Sequence, residues 1–151
     1  MTTFQSVNQI LEFAIKAEQE AVEFYNSLSV NAKTEDMKSV FRQFAQEEMG
    51  HKAKLLDIKE TGIFEKSAAA VADLKIADFT VSVEVTPNIS YQDALIIAMK
   101  KEKAAFKLYM TLSERSDSKD LKELFLMLAQ EESKHKLRFE LEYDEFVLRE
   151  N

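Results

Sequence analysis

Buried-type positions recur along this chain at alternating steps of four and three, the period of a helix packed in a bundle. The first run is Val7, Leu11, Ala14, Glu18, Ala21, Tyr25 and Leu28, and the second is Met37, Phe41, Phe44, Glu48, His51, Leu55 and Ile58. Adding 84 to the first run gives Tyr91, Leu95, Ala98, Glu102, Ala105, Tyr109 and Leu112. Adding 84 to the second gives Leu121, Phe125, Leu128, Glu132, His135, Phe139 and Glu142. The two halves therefore read as copies of one helical hairpin, with no gap inside either copy. The pattern predicts four long helices in two hairpins, at about 5–60 and 90–148.

The punctuation agrees with that division. Thr34, Ser90 and Ser118 stand where N-caps belong, and Asp93 follows Ser90 by three residues as in a capping box. The links near Val30–Lys33 and Arg115–Asp117 are short, so each pair of helices is antiparallel. The halves are joined by a longer crossover, 62–89, with a short helix expected at Ser67–Ala72 and an extended stretch at Phe79–Val85 before Pro87. It carries Ile63, Phe64, Val71, Leu74 and Ile76, too apolar a set for a free linker. A crossover of that size spans the ~40 Å of a 25-residue helix and lets the second and third helices run parallel. The expected fold is all-α: one domain over 1–151, a four-helix bundle with one long crossover between the second and third helices.

Composition supports this reading and removes several chemistries. Two glycines and one proline are too few for the turns of a barrel or sandwich. With no cysteine, there is no disulfide, zinc–thiolate site, iron–sulfur cluster or thiol nucleophile within these 151 residues. A formal charge of −7, with its cations dispersed over polar helix faces, opposes nucleic-acid binding. No apolar run is long enough to cross a bilayer, and Met1–Ala14 lacks the apolar core of a signal peptide, so no membrane association and a cytoplasmic location are expected.

The register also puts charge in the wrong place. Glu18, Glu48, Glu102 and Glu132 occupy seam positions, as do His51 and His135, the only histidines of the chain. All six fall near mid-helix and so at one level of the core. Four ionised carboxylates buried together repel one another, and each loses several kcal/mol of solvation. Two divalent cations would cancel the four negative charges and leave two neutral imidazoles. Glu and His at i and i+3 share one helical face, so Glu48 with His51, and Glu132 with His135, reach one cluster. One Glu from each of two helices and a Glu-x-x-His from each of the other two is the donor set of di-iron and di-manganese carboxylate bundles. Carboxylate and imidazole together suit iron or manganese, and zinc is compatible with the same donors. Glutamate fills 19 of the 151 positions, so a Glu three residues before both histidines by chance is roughly a one-in-sixty event.

The segments AIKAEQEAVEFY, FAQEEMGHKAKLL, AMKKEKAAFKLY and LAQEESKHKLRF resemble the ferritin-like superfamily, and within it the di-iron domain of the rubrerythrin family. The resemblance spans nearly the whole chain. It implies a ferritin-like bundle in which Glu18 and Glu102 are terminal ligands, Glu48 and Glu132 bridge two iron ions, and His51 and His135 each cap one. It implies that Tyr25 and Tyr109 hydrogen-bond ligand carboxylates through their phenols. Rubrerythrins proper carry a rubredoxin module whose cysteines feed electrons to the di-iron site; without cysteine here, an external donor such as a rubredoxin-type protein is expected. They also place an extra Glu about a turn after the third-helix ligand, whereas Ala105 stands there in this chain, so the resemblance does not extend to rubrerythrin-style ligand exchange.

Other residues weigh less. Glu47 and Glu131 fall outside the i, i+3 pairs and are expected on flanking or solvated faces, and Glu12, Glu20 and Glu23 lie off the seam. Met49 resembles the haem-ligating position of bacterioferritins but is expected to be a packing residue. Phe13, Phe24, Phe41, Phe44, Phe106, Phe125 and Phe139 are expected mostly in the core. The expected function is a non-haem di-iron oxidoreductase that reduces peroxide or dioxygen, working as a homodimer. The alternatives are a ferroxidase or iron-handling protein and, third, a metal-free scaffold bundle.

Overall fold

The structure is a computed structural model, and it describes residues 3–62, 71, 73–81 and 89–150. Four helices dominate: α1 (Val7–Asn31), α2 (Glu35–Thr61), α3 (Tyr91–Arg115) and α4 (Lys119–Glu150). Thr34, Ser90 and Ser118 cap α2, α3 and α4, each hydroxyl accepting the amide hydrogen three residues on, at 3.2, 3.1 and 3.4 Å. Ser6 caps α1 in the same way through the Gln9 amide at 3.0 Å. At the far end of α2, Gly62 takes φ 66°, a left-handed conformation that a side chain disfavours and glycine adopts freely.

α1 packs on α2 and α3 on α4, while α1 and α3 approach each other much less closely. Of the 28 seam residues predicted from the spacing, all but Ala105 are buried. They form two apolar clusters. One joins the start of α1, the end of α2, the end of α3 and the start of α4 through Val7, Ile58, Leu112 and Leu121. The other, at the opposite end, contains Leu28, Met37, Leu95 and Phe139. That arrangement makes α2 and α3 parallel. Burying each large apolar side chain contributes about 1.5–3 kcal/mol, so these two clusters hold the bundle closed on either side of its polar middle.

The crossover differs from expectation where it is described. Phe79 is not extended: it closes a short 3-10 helix, Ile76–Phe79, and its ring is buried near Phe4. The Phe4 amide donates to the Leu74 carbonyl at 3.0 Å, and Arg115 grips Asp73 with two hydrogen bonds of 2.8 and 3.0 Å. These contacts tie the crossover to the start of α1 and the end of α3, which favours a folded turn over an extended run. Of the expected helix at Ser67–Ala72 only Val71 is described, and 82–85 of the expected extended stretch lie outside the described residues. Two aromatic and sulfur positions also depart from expectation: Phe106 is 37% exposed and Met49 is 56% exposed, so neither packs in the core.

Candidate metal centre

Between the two apolar clusters lie Glu18, Glu48, His51, Glu102, Glu132 and His135, all at most 3% exposed. α1 supplies Glu18, α2 supplies Glu48 and His51, α3 supplies Glu102, and α4 supplies Glu132 and His135. Their donor atoms form two groups of four, each within 4.8 Å: Glu18, Glu48, His51 and Glu132, and Glu48, Glu102, Glu132 and His135. Glu48 and Glu132 belong to both groups. The imidazole planes of His51 and His135 lie 14° apart, with ring centres separated by 6.4 Å.

The inward-facing atoms are close without being bonded. His51 Nδ1 lies 2.7 Å from Glu132 Oε1 and 3.5 Å from Glu48 Oε1, and His135 Nδ1 lies 3.1 Å from Glu48 Oε1. None of these approaches has hydrogen-bond geometry, and both Nδ1 atoms are left buried without a hydrogen-bond partner. The same holds for Glu18 Oε2, Glu48 Oε1, Glu102 Oε2 and both Glu132 oxygens. Buried polar atoms rarely go unpaired, since each costs about 1–3 kcal/mol. Lone pairs converging on common points are the arrangement that cations satisfy. The residues present fit a pair of divalent metal ions.

Without ions, protons must relieve the charge. Burial, reinforced by the Glu48 carboxylate and partly offset by His51, pushes the Glu18 carboxyl up to about 8. Burial and then the charges of Glu102, Glu18 and Glu48 hold Glu132 well above the usual carboxylate range. For His51, burial disfavours the imidazolium, but Glu18, Glu48 and Glu131 outweigh it and raise the group to about 9. His135 rises to about 10 for the same reason, its burial outweighed by Glu102 and Glu48.

Two kinds of outer contact hold these donors. The Tyr25 hydroxyl donates to Glu102 Oε1 and the Tyr109 hydroxyl donates to Glu18 Oε1. Burial first, and then the neighbouring carboxylates, keep both phenols far above their ordinary range, so they stay protonated donors. Each bond crosses from one hairpin to the other. The histidines are braced from the opposite side: His51 Nε2 meets Glu131 Oε2 at 2.6 Å and His135 Nε2 meets Glu47 Oε2 at 3.2 Å. Sequence reasoning placed Glu47 and Glu131 on flanking or solvated faces; they are partly exposed, yet each reaches the outer nitrogen of a histidine in the other hairpin. The available signal was their own offset of 84. Phe44 stacks on the His135 ring at 4.0 Å between centres and fixes its plane.

The carboxylates also face a cavity of about 260 Å³ between α1 and α3. Ala17 and Ala21 on one helix, and Ala104 and Ala105 on the other, leave this space because each contributes only a methyl group. That is why Ala105 alone of the seam residues is not fully buried. Phe13, Phe79 and Leu108 add apolar walls, while Lys16, Glu20 and Lys101 complete the lining with charge.

A four-helix bundle with two Glu and two Glu-x-x-His donors at one level defines the ferritin-like di-metal carboxylate class. Comparisons with known proteins agree. The family description for rubrerythrin matches residues 9–86 and 93–151. The chain belongs to the rubrerythrin family. Among solved structures it is similar to a candidate ferritin-like diiron-carboxylate protein from Thermotoga maritima, with a TM-score of 0.78 and 21% identity over 96% of this chain and 99% of that one. It is also similar to a hypothetical protein from Pyrococcus furiosus, with a TM-score of 0.72 and 30% identity over 92% of this chain and 89% of that one. No curated protein matches the chain in sequence. No helix among the described residues is long and apolar enough to cross a membrane.

Proposed function

We propose that the six core residues hold two iron ions and that the protein is a di-iron oxidoreductase. In this reading Glu18 and His51 would hold one ion, Glu102 and His135 the other, and Glu48 and Glu132, common to both donor groups, would serve both. The observation that carries it is the pair of four-donor groups with Glu48 and Glu132 in common. Manganese and zinc suit the same donors, and iron is favoured by membership of the rubrerythrin family.

Two ferrous ions held by these residues would supply two electrons to one O–O bond, of peroxide or dioxygen, with an external donor to return them. The chain's own residues prepare that chemistry. Tyr25 and Tyr109 hold the outer oxygens of Glu102 and Glu18, so each carboxylate presents its free oxygen inward. Glu131 and Glu47 orient the imidazoles by accepting from Nε2, which leaves Nδ1 as the inward donor. The alanine-lined cavity admits a small oxidant on the carboxylate side, away from the histidines. These 151 residues carry no cysteine, so in this reading the returning electrons reach the bundle from outside it, from a donor of the rubredoxin type.

The test is anaerobic loading with Fe²⁺, a count of iron per chain, and separate rapid mixing with peroxide and dioxygen. Two irons per chain and a faster reaction with peroxide are expected. Rapid dioxygen consumption with growth of a ferric mineral would favour iron handling instead, and fewer than two irons per chain would sink the assignment.

A further inference from the structure

The cavity that faces the carboxylates is larger than the proposed oxidant needs. Its volume is about 260 Å³. Two ions and one peroxide amount to four atoms of water size or less. At about 10–15 Å³ for a water they fill on the order of 60 Å³, so roughly 200 Å³ is left. An apolar cavity of about 150 Å³ is enough to hold benzene. Away from the carboxylates the walls are apolar, from Phe13 and Ala17 on α1, Ala105 and Leu108 on α3, and Phe79 and Val81 of the crossover. Apolar walls with polar groups at one end suit an organic molecule better than peroxide alone.

The cavity continues into a second hollow. A groove of about 320 Å³ lies between α3 and the crossover, and Thr80, Val81 and Ala104 line both spaces. This groove is cationic: among the described residues, Lys100, Lys103 and Lys107 line it against the single carboxylate of Asp78. The three lysines stand at i, i+3 and i+7, an exposed face of α3 about 10 Å long. Lys107 Nζ lies 5.7 Å from the centre of the Phe79 ring, so charge and apolar wall meet where the two spaces join. Lysines on other faces pair with carboxylates, Lys38 with Glu35, Lys59 with Glu12 and Lys136 with Glu140. Lys100, Lys103 and Lys107 form no ion pair among the described residues. In a chain of net charge −7, three unpaired ammonium groups around one hollow are a local attraction for an anion.

We propose that cavity and groove are one binding site for an amphipathic organic anion. The ligand is a carboxylate or phosphate monoester whose head lies among Lys100, Lys103 and Lys107 and whose apolar chain enters the cavity past Ala104. Six carbons of benzene in about 150 Å³ scale to about eight carbons in the space that is left. In that pose the end of the chain, not the head, faces the carboxylates of Glu18 and Glu102. This deepens the proposed function by naming the class of molecule held beside the centre. It rests on that reading only for the fate of the molecule, since binding requires no iron.

Calorimetric titration of the zinc-loaded and the ion-free chain with octanoate, octyl phosphate and 1-octanol separates chain from head. One site per chain is expected for at least one of the two anions, and binding of only one identifies the head. Affinity should fall about fourfold for each methylene removed from the chain. Lys100→Ala, Lys103→Ala and Lys107→Ala together should weaken anion binding at least about tenfold and leave 1-octanol within about twofold. Ala105→Phe should weaken the anions and 1-octanol alike, at least about tenfold, with helix content unchanged. If Ala105→Phe loses helix content, the lysine variant decides, because it alters only exposed side chains. No saturable binding of either anion at millimolar concentration would overturn the site, whether or not the iron-loaded chain reacts with peroxide. Anion binding indifferent to the lysine substitutions, or to a folded Ala105→Phe, would overturn it equally.

Discussion

Replacing Tyr109 with Phe should unbalance the centre. The substitution keeps the ring, which is buried and lies parallel to Phe125 within 11°, and removes only the hydroxyl that donates to Glu18 Oε1. Glu18 is 2% exposed, and a water from the adjoining cavity would hold its carboxylate less rigidly than the ring-fixed hydroxyl does. A hydrogen bond to a buried charged acceptor is worth about 1.5–3 kcal/mol net. At 1.4 kcal/mol per tenfold, that corresponds to about 10–100-fold in affinity, the range typical of groups that orient metal ligands. The loss should fall mainly on the ion proposed for Glu18 and His51, because Glu102, the terminal carboxylate proposed for the other, keeps its own donor in Tyr25. Anaerobic titration with Co²⁺ against a chelator of known affinity, followed by its visible absorption, resolves the two binding steps. One step should weaken and the other hold to within a few-fold. Tyr25→Phe should mirror the result, and the weakened ion should be the one near His135. Equal weakening of both steps by either variant, or no weakening, would refute the assignment of one tyrosine to each ion.

Other outcomes follow from the same geometry. The ion-free chain binds more protons folded than unfolded, because Glu18 is raised from 4.5 to about 8 and the histidines from 6.5 to about 9 and 10. Its stability should therefore be greatest near pH 5 and fall as pH rises through 8 and beyond, by about 1.4 kcal/mol per pH unit for each extra proton. Metal ions displace those protons, so affinity should rise with pH. The melting-temperature gap between loaded and chelator-treated protein should widen from pH 5 to 8, and a constant gap would refute the proton count. Ala105→Phe should fill the cavity between α1 and α3, leaving two irons bound while slowing their reaction with peroxide at least about tenfold. An unchanged rate in rapid mixing would mean the oxidant enters elsewhere.

Most of the bundle was legible because one register governs both its core and its site. The four-and-three spacing that buries Leu11, Phe41, Leu95 and Phe125 also places Glu18, Glu48, Glu102 and Glu132, and the offset of 84 repeats both. Glu47 and Glu131 escaped that logic since they lie off the seam. Their role arises between helices, where a long side chain on one reaches a histidine on another, and periodicity within one helix carries no such information. The cavity was hidden for a related reason. Each alanine beside it reads as a good helix former, and only the facing of Ala17 and Ala21 with Ala104 and Ala105 turns small size into open volume. In the crossover, Phe79 was expected in an extended stretch, and the apolar contact with Phe4, distant in sequence, instead accompanies a turn. Phe106 and Met49 show the converse, residues apolar by type that the register nevertheless leaves facing water.

The tyrosine bonds that cross between hairpins have a consequence for assembly. Each hairpin brings a Glu, a Glu-x-x-His and a Tyr, and each Tyr serves the carboxylate of the other hairpin. One hairpin closed on its own copy would thus contain every type of donor the centre uses, and among the described residues the crossover adds none. What the crossover supplies is effective concentration. It holds one half in the presence of the other at the millimolar level typical of tethered modules, far above the level of a scarce protein in dilute solution. A two-ion site that would otherwise form only by second-order encounter becomes first-order, and stays intact at any dilution of the chain.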